Sequence, residues 1–461
     1  MNSQKSLLEK LSRLVGPDYV LTERSQLEEH SWDALSEGRI HPLRRPEPAN
    51  PLCVVLPPST GEVQKVVLLA NEEKVPIVPY GGGSGLMGGA ISLRPGIVID
   101  LRRMNHVLEI DKEARTARVQ AGIVLESLEK SLIERGFLLG HDPWTLPVAT
   151  VGGAISTNSL GYRGGKYGSM GDQILGLEVV LPHGEVLRTR SVPKSSTGIC
   201  LKHLFIGGEG CFGIVTEATL RVFPSPEVLS LRAFCFPSFE VGFGAIKEIF
   251  AKGLKPALMD FGDDSAKVHK GAVLYLALEG TMEMVKAEEQ IALEICDGEG
   301  GEILPRDEAE RFWRERHVIA HRFMQNRLQR RKGSNDELRR DWIHVALPTS
   351  QVLAFRKLAM ELLEKQGIEL QESGLWTQPE LFSMRLAVVD SEQNRLVLEN
   401  TVEELLRLVH RMGGSMEYCH GVGLKLAPLM VEEHGQGLEV MRQIKKVLDP
   451  NGIMNPGKMG L

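Results

Sequence analysis

Residues 75–89 read VPIVPYGGGSGLMGG. The β-branched run VPIVPY has strand character and ends on a loop almost without side chains. Just upstream, CVVLPPS has strand composition, and GEVQKVVLLANEEK sets Val63, Val66, Val67 and Ala70 at helical spacing, so the region opens as β-α-β. Gly83, Gly85 and Gly88 spell GxGxxG. A Rossmann dinucleotide site needs strand, glycine turn and then helix, whereas this loop leads into ISLRPGIVIDL, another strand-like run. The helix comes before the loop. Small residues from Gly81 to Gly85 can still turn successive backbone N–H groups into one concavity, an anion nest that needs no cationic side chain. Taken alone, the loop also reads as a surface turn.

A second such stretch, TVGGAISTNSLGYRGGKYGSMGDQI (150–174), interleaves glycines with Thr150, Ser156, Thr157 and Asn158. Neutral hydroxyl and amide donors beside close-approach backbone suit a large, planar, polar-tailed ligand. LEVVLPHGEVLRT follows as a hairpin turning at His183-Gly184, and FIGGEGCFGIVTEATLRVFPSPE closes the region. From Leu229 to Pro305 the order is strand-helix-strand twice, the succession of an antiparallel sheet with helices on one face. A charged helical stretch, RDEAERFWRERHVIAHRF, interrupts it, RRKGSND (330–336) reads as a mobile loop, and WIHVALPTS resumes strand character. Helices VEELLRLVHRMGG and GLEVMRQIKKVLD, the second stopped by Pro450, precede a final loop.

Composition narrows the function classes. A chain of 461 residues, 42% hydrophobic and 25% charged, forms two or three globular domains rather than a fibre or a disordered tail. Its 48 glycines exceed the usual share of about 7%. A net charge of −6 gives no footprint for nucleic acid. Cys53, Cys200, Cys211, Cys235, Cys296 and Cys419 form no CxxC pair, which excludes an iron–sulfur or zinc motif and points to a reducing, cytoplasmic setting. MNSQKSLLEKLSRLVG reads as an amphipathic helix rather than a signal peptide, and no 18-residue apolar run spans a membrane.

The glycine stretches, with PPSTGEVQKVV, DPWTLPVATVGG, GGEGCFGIVTEATLRVFP and the closing DPNGIMNPGK, resemble the flavoproteins of the vanillyl-alcohol oxidase, or PCMH-type FAD-binding, superfamily. Within it the chain is similar to the branch of glycolate oxidase catalytic subunits, D-lactate dehydrogenases and D-2-hydroxyglutarate dehydrogenases. A second resemblance is to alkyldihydroxyacetonephosphate synthase. The resemblance implies an α+β fold: a two-lobed PCMH-type FAD-binding domain over 1–227, with an N-terminal helical segment; a ferredoxin-like antiparallel-sheet substrate, or cap, domain over 228–415; and a C-terminal helical segment, 416–461, returning to the flavin. It places Pro79, Gly81, Gly82, Gly83, Ser84 and Gly85 around the diphosphate. Pro147, Thr150, Gly153, Ser156, Thr157 and Tyr167 fall along the ribityl and ring portions, and Glu209, Gly213, Ile214 and Val215 near the adenosine. Some relatives attach FAD through a histidine of the glycine loop; Ser84 has no nitrogen nucleophile, so FAD is expected to be non-covalent.

The implied activity is FAD-dependent oxidation of a small D-2-hydroxy acid to the 2-oxo acid, by hydride transfer to flavin N5. An external acceptor, such as an electron-transfer flavoprotein or an iron–sulfur subunit, would take the electrons, since no NAD fingerprint or cysteine cluster is on the chain. A homodimer is one assembly open to it. His420, in EYCHGVGLK, matches the HG element of both branches and is the candidate base. Arg316 and Arg322 are candidates for the substrate carboxylate; on one continuous helix they lie about 600° apart and do not share a face. His344 stands with Trp342 where dehydrogenase relatives carry an aspartate and a lysine, and joins the catalytic candidates. Trp144 is a candidate for packing on the flavin ring. No metal is expected, because WTQPELFSMRLAVVD lacks the metal-binding histidines of those relatives and Cys419 replaces their glutamate; His317 and His321 read as a solvated face. The alternatives are a flavin transferase like the synthase and a catalytically decayed FAD-binding module.

Overall fold

In the computed structural model, which describes residues 2–36, 39, 49–263, 268–325 and 337–461, strand β1 (Val20–Leu21) runs antiparallel to β2 (Cys53–Val55). Strands β3 (Ile77–Tyr80) and β4 (Ile97–Asp100) complete a sheet of order β1-β2-β4-β3. Strands β2 and β4 are buried throughout, as suits apolar parallel strands covered on both faces; Asp100, at the end of β4, is buried against Arg102 and His30. The helix Thr60–Glu73 links β2 to β3; Ser59 caps its start and left-handed Lys74 (φ 54°) ends it. No helix links β3 to β4, although they are adjacent and parallel: residues 81–96 make that crossover as irregular chain. Strand pairing there is confined to Ile97–Asp100, shorter than the run ISLRPGIVIDL suggests, because the backbone bends through Leu93-Arg94-Pro95.

A second sheet is antiparallel. Strands β5 (Val107–Asp111), β6 (Thr116–Gln120), β8 (Ile174–Val180), β9 (Val186–Arg188) and β10 (Ile214–Arg221) lie in the order β5-β6-β10-β8-β9, while β7 (Phe137–Leu138) pairs with β11 (Phe223–Pro224). The β8-β9 hairpin turns where its sequence indicates, with Gly184 at φ +87° donating to the Leu181 carbonyl. Between the strands, Thr150 caps the short helix Val151–Thr157 by accepting from Gly153 N at 3.3 Å.

From Val228 the chain builds β-α-β-β-α twice. The first unit is β12 (Val228–Phe236), helix Phe239–Ala251, β13 (Leu258–Asp263), β14 (Ala272–Gly280) and helix Met282–Gly298; a short β15 (Glu302–Ile303) follows on its edge. The second is β16 (Leu338–Ala346), helix Val352–Gln366, β17 (Glu369–Trp376), β18 (Leu381–Val389) and helix Glu392–Arg411. They join through β13 and β17 into one seven-stranded antiparallel sheet, β15-β12-β14-β13-β17-β18-β16. One face is apolar and packs on the four long helices, with Phe239 on Phe261 at 4.9 Å and Phe355 on Phe382 at 5.7 Å between ring centres. The other face turns toward the glycine-rich segments. The helical stretch after Pro305 is two helices, Arg306–Glu315 and Val318–Gln325, broken at Arg316-His317, so the angular argument separating Arg316 from Arg322 does not apply. The segment RRKGSND lies outside the described residues.

The C-terminal stretch returns to the first sheet. Asn455 N donates to Ile77 O at 2.8 Å, Ile77 N to Ile453 O at 2.7 Å, and buried Lys458 caps the Ile91 carbonyl at 2.7 Å. Among the described residues no helix is long and apolar enough to cross a membrane.

Candidate active site

The glycine loop after β3 and the segment 148–157 press together backbone to backbone. A Cβ on Gly82 would lie 2.1 Å from the Val148 carbonyl oxygen, so no larger residue fits there without moving one segment. Between them opens an elongated cavity of about 1250 Å³ including its mouth. Pro79, Gly81, Gly82, Gly83, Ser84 and Gly85 line one part; Thr150, Gly153, Ser156, Thr157, Glu209, Gly213, Ile214 and Val215 line the rest, together with Trp144. Cys419 and His420 also line it. This wall is rich in small residues, neutral hydroxyls and closely approaching glycine backbone, and it fits FAD. Two residues expected at the flavin lie off the cavity wall. Pro147 is not among its lining residues, and the Tyr167 hydroxyl donates to Glu279 of β14 at 2.8 Å while its ring packs on Phe223 at 4.3 Å.

Glu209, expected near the adenosine, does more than line the wall. Its carboxylate accepts the backbone N–H of Val422 at 2.5 Å and of Gly423 at 2.9 Å, immediately after His420. Burial raises its carboxyl to about 7 against the opposing pull of those two N–H groups. Asn455 adds a second staple, donating to Glu209 O at 2.6 Å and to Gly89 O at 2.8 Å. The glycine loop, the Glu209 turn and the His420 loop are thus locked to one another.

His420 is one of three groups that meet beside the cavity. Its ring lies 4.4 Å from that of His344 on β16, at 75°, and its Nδ1 is 3.4 Å from Glu417 Oε1. The same carboxylate accepts N–H from Cys419 at 2.7 Å and His420 at 2.9 Å, so it is held rigidly. Burial works against an imidazolium at His420, but the neighbouring Cys419 sulfur and Glu417 carboxylate raise its pKa to about 10. Burial, with His420 beside it, lowers His344 to about 3, and its buried Nδ1 has no partner. One ligand atom from each of His344, Glu417 and His420 lies within 4.8 Å of the others, a set a divalent cation could draw together. His344 therefore clusters with these two. Glu417 was not among the residues expected from sequence; its E-x-x-H spacing to His420 was the available signal.

The two arginine candidates fare differently from that cluster. Arg316 Nε donates to buried Asp142 at 3.0 Å, and its guanidinium lies 3.8 Å over the Trp313 ring. Asp142 also holds His317 at 2.7 Å and Arg163 at 3.5 Å, and despite burial these partners keep its carboxyl far below the usual range. Arg316 is thus engaged in joining the helix Arg306–Glu315 to the flavin side, and His317 is part of that junction, not a solvated residue. Arg322 and His321 are exposed on Val318–Gln325, and neither lines the cavity.

Comparison with known proteins agrees with this geometry. Residues 51–190 match the FAD binding domain and 225–459 the C-terminal domain of FAD linked oxidases. The chain is 29% identical to glycolate oxidase subunit GlcD of Bacillus subtilis, over 99% of this chain and 97% of that one. It is 31% identical to a D-lactate dehydrogenase of Archaeoglobus fulgidus, over 93% and 95%. Among solved structures, p-cresol methylhydroxylase superimposes with a TM-score of 0.81 at 21% identity, covering 100% of this chain and 98% of that one. Alkyldihydroxyacetonephosphate synthase gives 0.80 at 23% identity, covering 98% and 85%. With both domains matched in order over a cavity shaped for the cofactor, this chain belongs to the FAD-linked oxidase family.

Proposed function

We propose that the protein oxidises a small D-2-hydroxy acid, such as glycolate or D-lactate, to the 2-oxo acid and passes the electrons to an external acceptor. The observation that carries the reading is a single cavity with the glycine-loop backbone at one part of its wall and His420 at another. The glycine loop residues 81–85, with Thr150, Ser156 and Thr157, would hold the cofactor without a covalent bond. Bound there, FAD supplies the two-electron acceptor for the hydride on the substrate's Cα. As that C–H bond breaks, the hydroxyl proton passes to His420 and the carbonyl forms. Glu417 compensates the imidazolium that results. The glycolate oxidase subunit and the D-lactate dehydrogenases among the relatives support this substrate class.

Anaerobic addition of glycolate, D-lactate or D-2-hydroxyglutarate should bleach the flavin band near about 450 nm. Failure of every 2-hydroxy acid to bleach it, with turnover of a phosphate ester instead, would favour a flavin transferase. His420→Ala should keep its FAD yet slow reduction by about 10²-fold or more, the usual scale for a lost general base. Because His344, Glu417 and His420 lie within 4.8 Å of one another, a chelator is the second arm. Bleaching lost to the chelator and restored by a divalent ion would mean that these residues act through a cation.

A further inference from the structure

We propose that Arg385 of β18 is the anion-binding residue of the substrate side of this site, taking a carboxylate or phosphate group of the ligand. The reading rests on the proposed function for the place of the substrate, not for the chemistry of the subsite.

Cross-strand register sets the geometry. Trp342 pairs with Arg385 and His344 with Ser383, so these four side chains share the sheet face that meets the flavin side. His344 in turn touches His420, which lines the cavity. Arg385 therefore stands one diagonal step from the reactive cluster, about 7–8 Å by strand geometry.

Charge pairing singles out this arginine. Among the described residues the other inward cations are satisfied: Arg39 and Lys425 by Asp341, at 2.7 and 2.6 Å, Arg163 and Arg316 by Asp142, and Lys458 by backbone carbonyls. Arg385 has no hydrogen bond or ion pair among them, and its Nε is buried without a partner. Its cross-strand neighbour Glu372 lies outside ion-pair distance, though burial raises that carboxyl and the charge of Arg385 acts in the opposite direction. Its one recorded contact of this kind is with the Trp342 ring, 5.7 Å from the guanidinium carbon. Arg39 lies 5.3 Å from the same ring. Asp341 is shared by Arg39 and Lys425, and Glu417 and Glu372 act on Lys425 and Arg385 only from beyond ion-pair distance. Arg385 is half-buried with its Nε withdrawn from water and without a hydrogen bond, a deficit that a ligand anion would make good. The planar fork of Nε and Nη suits two parallel bonds to a carboxylate or phosphate, and the indole holds the fork flat.

The test is equilibrium binding to the FAD-loaded protein, read by calorimetry and by perturbation of the flavin spectrum. Oxamate carries a carboxylate but no oxidisable Cα–H; oxamide is its neutral counterpart, and glycerol 3-phosphate supplies the phosphate arm. Wild type should bind an anion, and Arg385→Met should weaken it by about 30-fold or more, as expected for a truncated buried charge partner. Arg385→Lys should fall between, and oxamide should not distinguish the variants. Arg385→Met should also melt no lower than wild type, because it removes a buried Nε–H that has no partner; a purely structural arginine would lower the melting temperature. Arg385-dependent binding of oxamate identifies a carboxylate ligand. The same dependence for glycerol 3-phosphate alone keeps the subsite and removes the hydroxy-acid reading. Equal anion affinity in wild type and Arg385→Met, or no anion binding by wild type, overturns the proposal. Bleaching by hydroxy acids would stand independently of either result.

Discussion

The two β-α-β-β-α halves of the seven-stranded sheet share a topology but differ in what covers their flavin-side face. On the first half, Leu231, Ala233, Leu258 and Ala277 are sealed beneath the helix Arg306–Glu315, whose Phe312 stacks on Tyr275 at 4.4 Å and 12°. On the second, β16 and β18 present Trp342, His344, Ser383 and Arg385 at the equivalent side, and the His420 loop approaches them. One half is plugged by the apolar face of a helix and by the ion pair of Glu279 with Arg163; the other is polar and incompletely paired. A repeated topology supplies the frame twice, while the chemistry we propose falls on the half left uncovered. The plug contributes burial that offsets unsatisfied groups such as His344 Nδ1 and Arg385 Nε next door.

The largest effect should come from unlocking the plug. Asp142→Asn leaves Arg163 and Arg316 facing a neutral group, and should cost about 3–5 kcal/mol in urea unfolding at neutral pH. Because the folded-state pKa of Asp142 is depressed, its contribution is complete above the ordinary carboxylate range and is lost as pH falls below it. The gap between variant and wild type should therefore narrow in acid. A gap under about 1 kcal/mol at neutral pH would mean that apolar contact alone holds the first half.

A matched pair of substitutions sharpens the contrast. Leu258→Ala, at a buried position of the first half, should lose about 2–4 kcal/mol of stability while folded molecules reduce their flavin at the wild-type rate. His344→Phe in the second half should do the reverse. Stability should stay within about 1 kcal/mol, since a buried nitrogen without a partner is removed, and flavin reduction should slow by about 10-fold or more. If both variants change the same property, the division of labour between the halves fails.

How much of this was legible depended on how local the signal is. Glycine stretches announce themselves because close backbone approach forbids other residues, and fourteen of the sixteen positions expected at the cofactor line one cavity. Tyr167 departs because Glu279, on a distant strand, claims its hydroxyl. Arg316 was expected at the substrate from its likeness to a tryptophan-xx-arginine element of the relatives, whereas its ion pair with Asp142, far off in sequence, has no local pattern to announce it. The second half was under-read for another reason. Val352, Phe355, Ala359 and Leu363 form a buried helical stripe, and LFSMRLAVV alternates like a half-buried strand. Arg385 hides inside that alternation; register, not spacing, puts it opposite Trp342.

The smallest predicted effect concerns how the His420 loop is held against the second half. Gly423, at φ +53°, packs so closely that a Cβ would lie 2.0 Å from the Met87 carbonyl oxygen, and Glu209 accepts its N–H. Burial raises the Glu209 carboxyl to about 7, above its unfolded value, so its contribution to stability is complete below the unfolded pKa and is lost as pH rises through the folded one. The size is at most roughly 3 kcal/mol, given that one pKa unit is worth about 1.4. Glu209→Gln keeps the shape and removes the titration. Wild type should therefore lose stability between about pH 4.5 and about pH 7 relative to Glu209→Gln, most steeply midway between the unfolded and folded pKa and levelling off above the folded one. Parallel melting curves across that window would show that the backbone N–H groups keep Glu209 ionised throughout, and that the loop beside the second half is held by a permanent charge.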